Sequence, residues 1–305
     1  MLKDRSGALV FFGIIHLIGG AICLLIILAT VAVSTVPQAS IAQNLLVYAV
    51  FAAYLFAVGI GSLRKRRWAR ALALVVSWIW LISGVISGAM LILVMPHIMV
   101  LVPPSAARMV TVFVTALVAF IYVILPLVFI LFYGRRDVRA TVETNDTQVR
   151  WTDRVPLPVL GVSLVLAFGA VVLIANAARP VIPLFGTVLS GAPATLTALA
   201  LAALLAFVAV QLYRLKESAW WTLVLLQLIG GVFAALTLAR TDINRVYEQM
   251  GVMTPQIRAM HLEQIFGNPL LWGLAAVAWI AYFAFLIWIR RYFGRFAPRT
   301  RAEDA

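Results

Sequence analysis

The chain has 305 residues, of which 64% are hydrophobic and 11% are charged, and its formal net charge is +13. Soluble domains carry about 25% charged residues, so this chain has too little polar surface for a soluble globular protein. Its basic residues lie in short segments between apolar stretches, which indicates membrane topology and argues against a nucleic-acid partner. The single cysteine, Cys23, excludes an internal disulfide.

Eight uncharged stretches reach the length of about 20 residues that a helix needs to cross the hydrocarbon core of a bilayer. They are residues 8–34, 45–63, 71–95, 109–133, 158–177, 194–213, 220–239 and 269–289. We therefore predict an all-α fold, a polytopic membrane helix bundle. Pro126 lies inside the fourth span and predicts a kink in that helix.

The basic residues predict the orientation of the spans. Of the 24 Lys and Arg residues, all but five flank the spans on one side, and the exceptions are Arg108, Arg179, Arg240, Arg245 and Arg258. Cytoplasmic loops carry the basic excess, so both termini are expected in the cytoplasm. A cleaved signal peptide is the alternative for the first span, but its apolar run is about twice the ~7–15 residues of such a segment.

The two halves of the chain share a layout. Leu63-Arg64 precedes Trp68 at the start of the third span, and Leu215-Lys216 precedes Trp220 at the start of the seventh, a shift of 152 residues. This predicts two parallel four-helix repeats, residues 1–134 and 157–293, related by an axis along the membrane normal. A polar cytoplasmic linker, residues 135–156, is expected between them, and a basic cytoplasmic tail, residues 294–305, after them.

The run Trp68-Ala69-Arg70 after a basic turn resembles uncharacterised bacterial membrane proteins with four spans. The resemblance covers the turn and the start of one helix. It implies a multi-pass protein of the bacterial cytoplasmic (inner) membrane, here with a duplicated unit, and it implies no activity.

Small residues form a stripe on the third span, made of Ser83, Gly84, Ser87 and Gly88. Gly84 and Gly88 have the G-x-x-x-G spacing, which lets two helices in a membrane approach closely. We therefore predict helix packing at these positions. The expected partners are the lipid bilayer and, through such faces, a second copy of the chain or another membrane protein.

Polar side chains at mid-span are the candidate site. No Asp, Glu, Lys or Arg lies in the centre of any span, and charge buried there would be costly. His16, Ser77, Tyr122, Gln227 and Tyr282 are the candidates for a polar layer near the membrane midplane. The layer is a hypothesis for ligand binding. The interpretation that we favour is structural, with His16 bonded to a neighbouring helix.

Residues 240–268 form the long outer loop, where apolar spacing predicts two amphipathic helices, the first from Ile243 to Gly251 and the second from Thr254 to Gly267. A surface cap is the favoured interpretation, and a lid over a cavity or a docking site for a partner are the alternatives.

Catalytic and metal-binding motifs are absent from the sequence, including H-E-x-x-H, G-x-S-x-G and a phosphate-binding glycine loop. We therefore expect no enzymatic activity, no metal and no cofactor. The predicted function is that of a non-enzymatic membrane protein that acts through helix packing with partners or lipid. The alternative is a passive carrier or channel for a small neutral or apolar solute, lined by the five polar candidates.

Overall fold

The structure, a computed structural model, describes residues 3–33, 38–177 and 180–294, with the backbone alone described for residues 38–43. Eight of its helices are long and apolar enough to cross a membrane. These spans are Ser6–Val33, Asn44–Leu63, Arg67–Met99, Pro104–Tyr133, Leu157–Asn176, Gly191–Tyr213, Glu217–Arg240 and Pro269–Tyr292. The prediction of an all-α bundle with eight spans is therefore confirmed. Ser34, Arg179 and residues 295–305 of the predicted tail lie outside the described part of the chain.

The chain forms two compact units. The first contains Met1–Arg154 and Met250–Met260, and the second contains Val155–Gln249 and His261–Ala305. The predicted linker, residues 135–156, thus lies almost wholly within the first unit.

In the first unit, helices α1 (Ser6–Val33) and α2 (Gln38–Leu63) lie side by side because glycines face each other between them. A β-carbon on Gly13 would lie 3.0 Å from the carbonyl oxygen of Gly59, so only small residues allow this approach. Next to Gly13 on α1, Phe12 stacks on Phe132 with ring centroids 4.0 Å apart. The core of this unit therefore joins the first span to the fourth.

The fourth span contains a π-helical turn. It begins as α4 (Pro104–Ala119), widens at Phe120–Ile124 and continues as α5 (Leu125–Tyr133). Pro126 has no N–H, so it cannot bond to the carbonyl of Tyr122. Just before it, the Leu125 N–H bonds five residues back, to the Phe120 carbonyl, which is the π-helical pattern. The distortion predicted at Pro126 is therefore a π-helical turn that immediately precedes the proline.

The sequence predicted an exposed linker after α5, and the structure shows a segment that is partly exposed and partly packed. Helix α6 (Arg136–Asn145) buries Val138 and Val142, which pack in the same cluster as Leu9 of α1. The two valines are four residues apart and so share one face of the helix. These two valines form a packing stripe in a segment that is otherwise mostly polar, while Val149 and Trp151 are exposed. The assignment of residues 135–156 as a cytoplasmic linker stays a prediction.

In the second unit, α7 (Leu157–Asn176) packs on α8 (Gly191–Tyr213) through small residues, since Ala194, Ala198 and Ala202 recur every four positions and are all buried. The core continues into α9 (Glu217–Arg240) and α13 (Pro269–Ile289). There the indole N–H of Trp220 donates to the carbonyl of Leu286 at 2.9 Å. This bond satisfies a carbonyl near the end of the last span.

The loop after α7 holds a β-hairpin that the sequence did not predict. Strands β1 (Ile182–Leu184) and β2 (Thr187–Leu189) pair antiparallel around Phe185 and Gly186, whose φ angles are 47° and 91°. Two positive φ values are typical of a type I′ hairpin turn. The hydroxyl of Thr241 accepts the Gly186 N–H at 3.1 Å, which fastens the hairpin to the end of α9.

The long loop of residues 240–268 holds three short helices rather than two: α10 (Ile243–Gln249), α11 (Pro255–Ala259) and α12 (Leu262–Phe266). The first agrees with its predicted start at Ile243. The predicted second helix is interrupted at His261, whose φ of 50° is left-handed and cannot continue a right-handed helix.

The two units contain the same turn between helices. In the first, the Lys65 N–H bonds to the Ser62 carbonyl and the Arg66 N–H to that of Gly61. In the second, Leu215 bonds to Leu212 and Lys216 to Gln211 in the same pattern. Lys65 and Leu215 both have positive φ, as the central residue of such a helix-ending turn requires.

These turns correspond at a shift of 150 residues rather than the 152 read from the sequence. Trp68 and Trp220 therefore do not occupy equivalent positions. The duplication of a four-helix unit stays a prediction.

Candidate functional site

His16, one of the polar candidates in the first unit, is buried, with 1% of its surface exposed. Its Nδ1 lies 2.7 Å from the Phe12 carbonyl and its ring stacks on Phe129, with centroids 4.5 Å apart. A carbonyl only accepts, so Nδ1 carries the proton and Nε2 is left as an acceptor. Within the described residues, Nε2 has no hydrogen-bond partner.

Ser77 and Tyr122 also belong to the first unit. Ser77 is buried, and its hydroxyl has no hydrogen-bond partner among the residues that the structure describes. Tyr122 is 39% exposed and meets the edge of Trp80 at 6.4 Å. No hydrogen bond joins His16, Ser77 and Tyr122 to one another in the described structure.

Gln227 and Tyr282 lie in the second unit, on α9 and α13, and both are half-buried. Tyr282 packs against the hydrophobic core of that unit. The five predicted residues are therefore divided between two units, and a single polar layer made of all five stays a prediction.

An apolar groove lies between α3 (Arg67–Met99) and α4, and sequence reasoning missed it. Its volume is about 740 Å³. The groove is lined by Gly84, Val85, Gly88, Ala89, Leu91, Ile92, Met95, Pro96, Met99, Thr111, Thr115, Val118, Ala119 and Val123. A sequence signal for it exists, because small side chains recur every four residues on the fourth span, at Thr111, Thr115 and Ala119.

The predicted G-x-x-x-G pair forms the closed end and one wall of this groove. At Gly84 the helices touch, since a β-carbon there would overlap the carbonyl oxygen of Tyr122. One turn farther, a β-carbon on Gly88 would meet nothing within 4 Å. Ser83 and Ser87 are exposed. The helices therefore meet at Gly84 and diverge beyond it.

The opposite end of the first unit carries a cluster of charged residues, here called the basic end. The side chain of Asp146 is only 1% exposed there. Arg150 contacts both its carboxylate oxygens, at 2.9 and 3.2 Å, while Arg66 lies at 3.6 Å and the Arg67 N–H at 3.3 Å. The hydrogen bond from Arg150 holds the pKa of Asp146 below its ordinary value.

The second unit has a smaller pocket of about 400 Å³ at the hairpin end. Asp242, Glu263 and Trp272 are among its lining residues. Both carboxylates already have structural partners, because Asp242 accepts the Asn244 N–H and Glu263 accepts from the Asn244 side chain. Among the described residues, no group of three His, Cys, Asp or Glu side chains is placed to hold a metal ion.

The fold and these features define the class of the protein, which is a polytopic all-α membrane protein. Comparisons of the chain with protein-family models, with curated proteins and with solved structures find no match. The resemblance to four-span bacterial membrane proteins therefore stays a prediction.

We expect Asp146→Asn to lower stability by about 1–3 kcal/mol, because it removes a buried negative charge and replaces one of the two oxygens that accept from Arg150 with an NH2 donor. The lowered pKa adds a pH dependence. A carboxyl whose pKa is lower in the folded state stabilises the fold at pH values above its unfolded pKa of about 3.9. This stabilisation is lost as the pH falls below that value. Thermal unfolding in detergent from pH 7 to pH 3 measures both effects.

Asp137→Asn is the control, since this carboxylate is partly exposed and lies 3.5 Å from Arg5. We expect it to cost less than about 1 kcal/mol. Equal losses for the two variants would contradict the role assigned to Asp146.

Gly84→Ala and Gly88→Ala form a matched pair on one helix. At Gly84 the added methyl overlaps the Tyr122 carbonyl, so we expect a loss of about 1–3 kcal/mol. At Gly88 it enters open space, and the better helix propensity of alanine makes the change neutral or stabilising by up to about 1 kcal/mol. Unfolding in detergent compares them, and a greater loss at Gly88 would refute the proposed divergence of the helices.

Proposed function

We propose that this protein is a non-enzymatic membrane protein that binds the acyl chain of a membrane lipid in the groove between α3 and α4. The observation that carries the proposal is the groove itself, which is apolar and lies within the membrane-spanning helices. Ligand sites commonly have volumes of about 300–1,000 Å³, a range that includes this one.

The chemistry of the lining favours an apolar occupant. Glycine, alanine and aliphatic side chains make up most of the groove. The hydroxyl of Thr111 donates to the carbonyl of Ala107, one turn earlier on its own helix, at 2.8 Å. A polar solute entering the groove would lose its hydration without gaining equivalent hydrogen bonds, and this loss is costly. An alkyl chain has no such loss.

The size of the groove favours a lipid chain over a partner helix. From Gly84 to Met99 the groove runs ~22 Å along α3 at ~1.5 Å per residue. A helix segment of that length and of 10–12 Å diameter occupies on the order of 2,000 Å³. That exceeds even the total empty space in and around the groove, about 1380 Å³. A transmembrane helix would therefore lie across the groove rather than in it.

We also propose that the membrane is the bacterial cytoplasmic membrane and that both termini are cytoplasmic. The support is the distribution of charge in the first unit. Arg5, Arg67 and Arg70 contact Asp137, Asp153 and the Tyr133 carbonyl, respectively, at the same end of the unit. Basic residues mark the cytoplasmic ends of spans. The groove then opens toward the outer leaflet.

The proposed sidedness is tested with single cysteines in a Cys23→Ala background. Lys65→Cys lies in the basic turn, and Met250→Cys lies in the long loop, where the native side chain is 48% exposed. A membrane-impermeant maleimide added to intact cells is expected to label position 250 and to label position 65 only after lysis. The reverse pattern would invert the orientation of the spans.

Chain binding is tested with a phospholipid that carries a photoreactive diazirine in its acyl chain. After reconstitution and illumination, we expect adducts on peptides from α3 and α4, mapped by mass spectrometry. Gly88→Trp fills the groove and should reduce these adducts several-fold. Gly230→Trp is the control, because Gly230 is exposed on α9 and also has open space around it.

Adducts on α3 and α4 that are equally abundant in wild type and Gly88→Trp would refute the proposal, since they would report ordinary lipid contact. The melting temperature of each variant shows whether it is folded. A folded Gly88→Ser variant, with a smaller side chain, should show an intermediate reduction.

A further inference from the structure

We propose that the groove selects lipids with a net negative headgroup, and that Arg108 is the residue that binds the charged headgroup. The inference rests on the proposed binding of an acyl chain, and it adds the class of lipid. It is argued from the position, the depth and the charge of Arg108 relative to the groove.

Arg108 lies on the helical face of α4 that lines the groove. Thr111 and Thr115 line the groove and follow Arg108 by three and seven residues, which is the spacing of one helical face. Side chains on a helix lean toward its amino end, so Arg108 leans away from the groove floor and toward the start of α4. A long side chain in this position extends its charge to the membrane surface.

The depth of Arg108 matches the headgroup layer. Tyr133 and Arg70 lie at the basic end of the unit, joined by a hydrogen bond of 2.9 Å. From Tyr133 to Arg108 the fourth span rises ~38 Å at ~1.5 Å per residue. The hydrocarbon core is about 30 Å thick, and about 40–45 Å including headgroups, so Arg108 falls in the opposite headgroup layer. Gly84, ~21 Å from Arg70, falls within the hydrocarbon.

The charge of Arg108 is available to a ligand. The residue is exposed, and it forms no ion pair with any side chain in the described ranges. Between Arg70 and Asp137 the sequence contains no Asp or Glu, so the two helices of the groove supply no carboxylate. The first turn of α4 also has no acidic residue, and the amino end of a helix favours negative charge.

These observations together describe an amphipathic site. An alkyl chain fills the groove from Gly84 outward, and the headgroup lies where the groove meets the surface, beside a guanidinium. Arginine binds phosphate through two parallel hydrogen bonds. In a zwitterionic lipid the ammonium group of the headgroup competes with arginine for the phosphate. Phosphatidylglycerol has no ammonium group, so this competition is absent. The site therefore favours the anionic lipid.

The experiment compares two photoreactive lipids with identical diazirine chains, phosphatidylglycerol and phosphatidylethanolamine. Each is presented to the full-length protein in nanodiscs of zwitterionic lipid, and adducts are counted only on residues 84–99 of α3 and 104–119 of α4, the parts that adjoin the groove. This readout is local, so lipid held by arginines at the basic end does not contribute. We expect wild type to favour phosphatidylglycerol about 5-fold, which corresponds to about 1 kcal/mol for one basic residue at the surface.

Arg108→Gln should reduce the ratio to about 1 while adducts with both lipids persist. Arg108→Lys should restore part of the preference. Arg240→Gln is the matched control, since Arg240 is an exposed arginine at the corresponding end of a span in the second unit, and it should leave the ratio unchanged.

The outcomes separate the two proposals. A ratio near 1 in wild type, or a preference that survives Arg108→Gln, overturns the headgroup inference and leaves chain binding intact. Adducts that Gly88→Trp does not reduce overturn chain binding, and the inference with it. A ratio that falls equally in Arg108→Gln and Arg240→Gln assigns the effect to general surface charge, which also overturns the inference.

Discussion

The contact between the third and fourth spans lies beside one missing hydrogen-bond donor, the absent N–H of Pro126. In a hydrocarbon environment every backbone polar group must be satisfied within the protein. The Tyr122 carbonyl loses its ordinary helical partner, and the fourth span responds with a π-helical turn. The α3 backbone approaches that carbonyl at Gly84, where a side chain would not fit. This close approach allows a weak hydrogen bond from the Cα–H of Gly84 to the Tyr122 carbonyl oxygen. The divergence that makes the groove begins at this contact.

The eight spans were predictable because length and apolarity are local properties of the sequence. The packing of α6 was not, since a mostly polar segment hides Val138 and Val142, whose role depends on the core that Leu9 and Phe132 present to them. The hairpin at Phe185 and Gly186 was missed for a similar reason. Its turn needs two positive φ values, and phenylalanine seldom supplies one.

The candidate site shows the limit of residue-type reasoning more clearly. Four small residues on the third span were predicted to pack against a helix, yet Gly84 touches its neighbour whereas Gly88 faces open space. Spacing identifies a face of a helix, but the crossing point of two helices determines which residue on that face is covered. The same distinction separates Gly231, where a β-carbon would overlap Trp279, from its neighbour Gly230 in α9.

The turns at Lys65 and Leu215 carry a cost that glycine would avoid, about 1–2 kcal/mol for a left-handed residue with a side chain. The two side chains have different roles. Leu215 packs against the core of the second unit, so its strain is offset by apolar burial. Lys65 instead keeps an unbroken run of four cations, from Arg64 to Arg67, at the neck of a helical hairpin. Moving a charged side chain through the hydrocarbon core is costly, so Lys65 raises the barrier against this turn crossing a bilayer, which a glycine at the same position would not do.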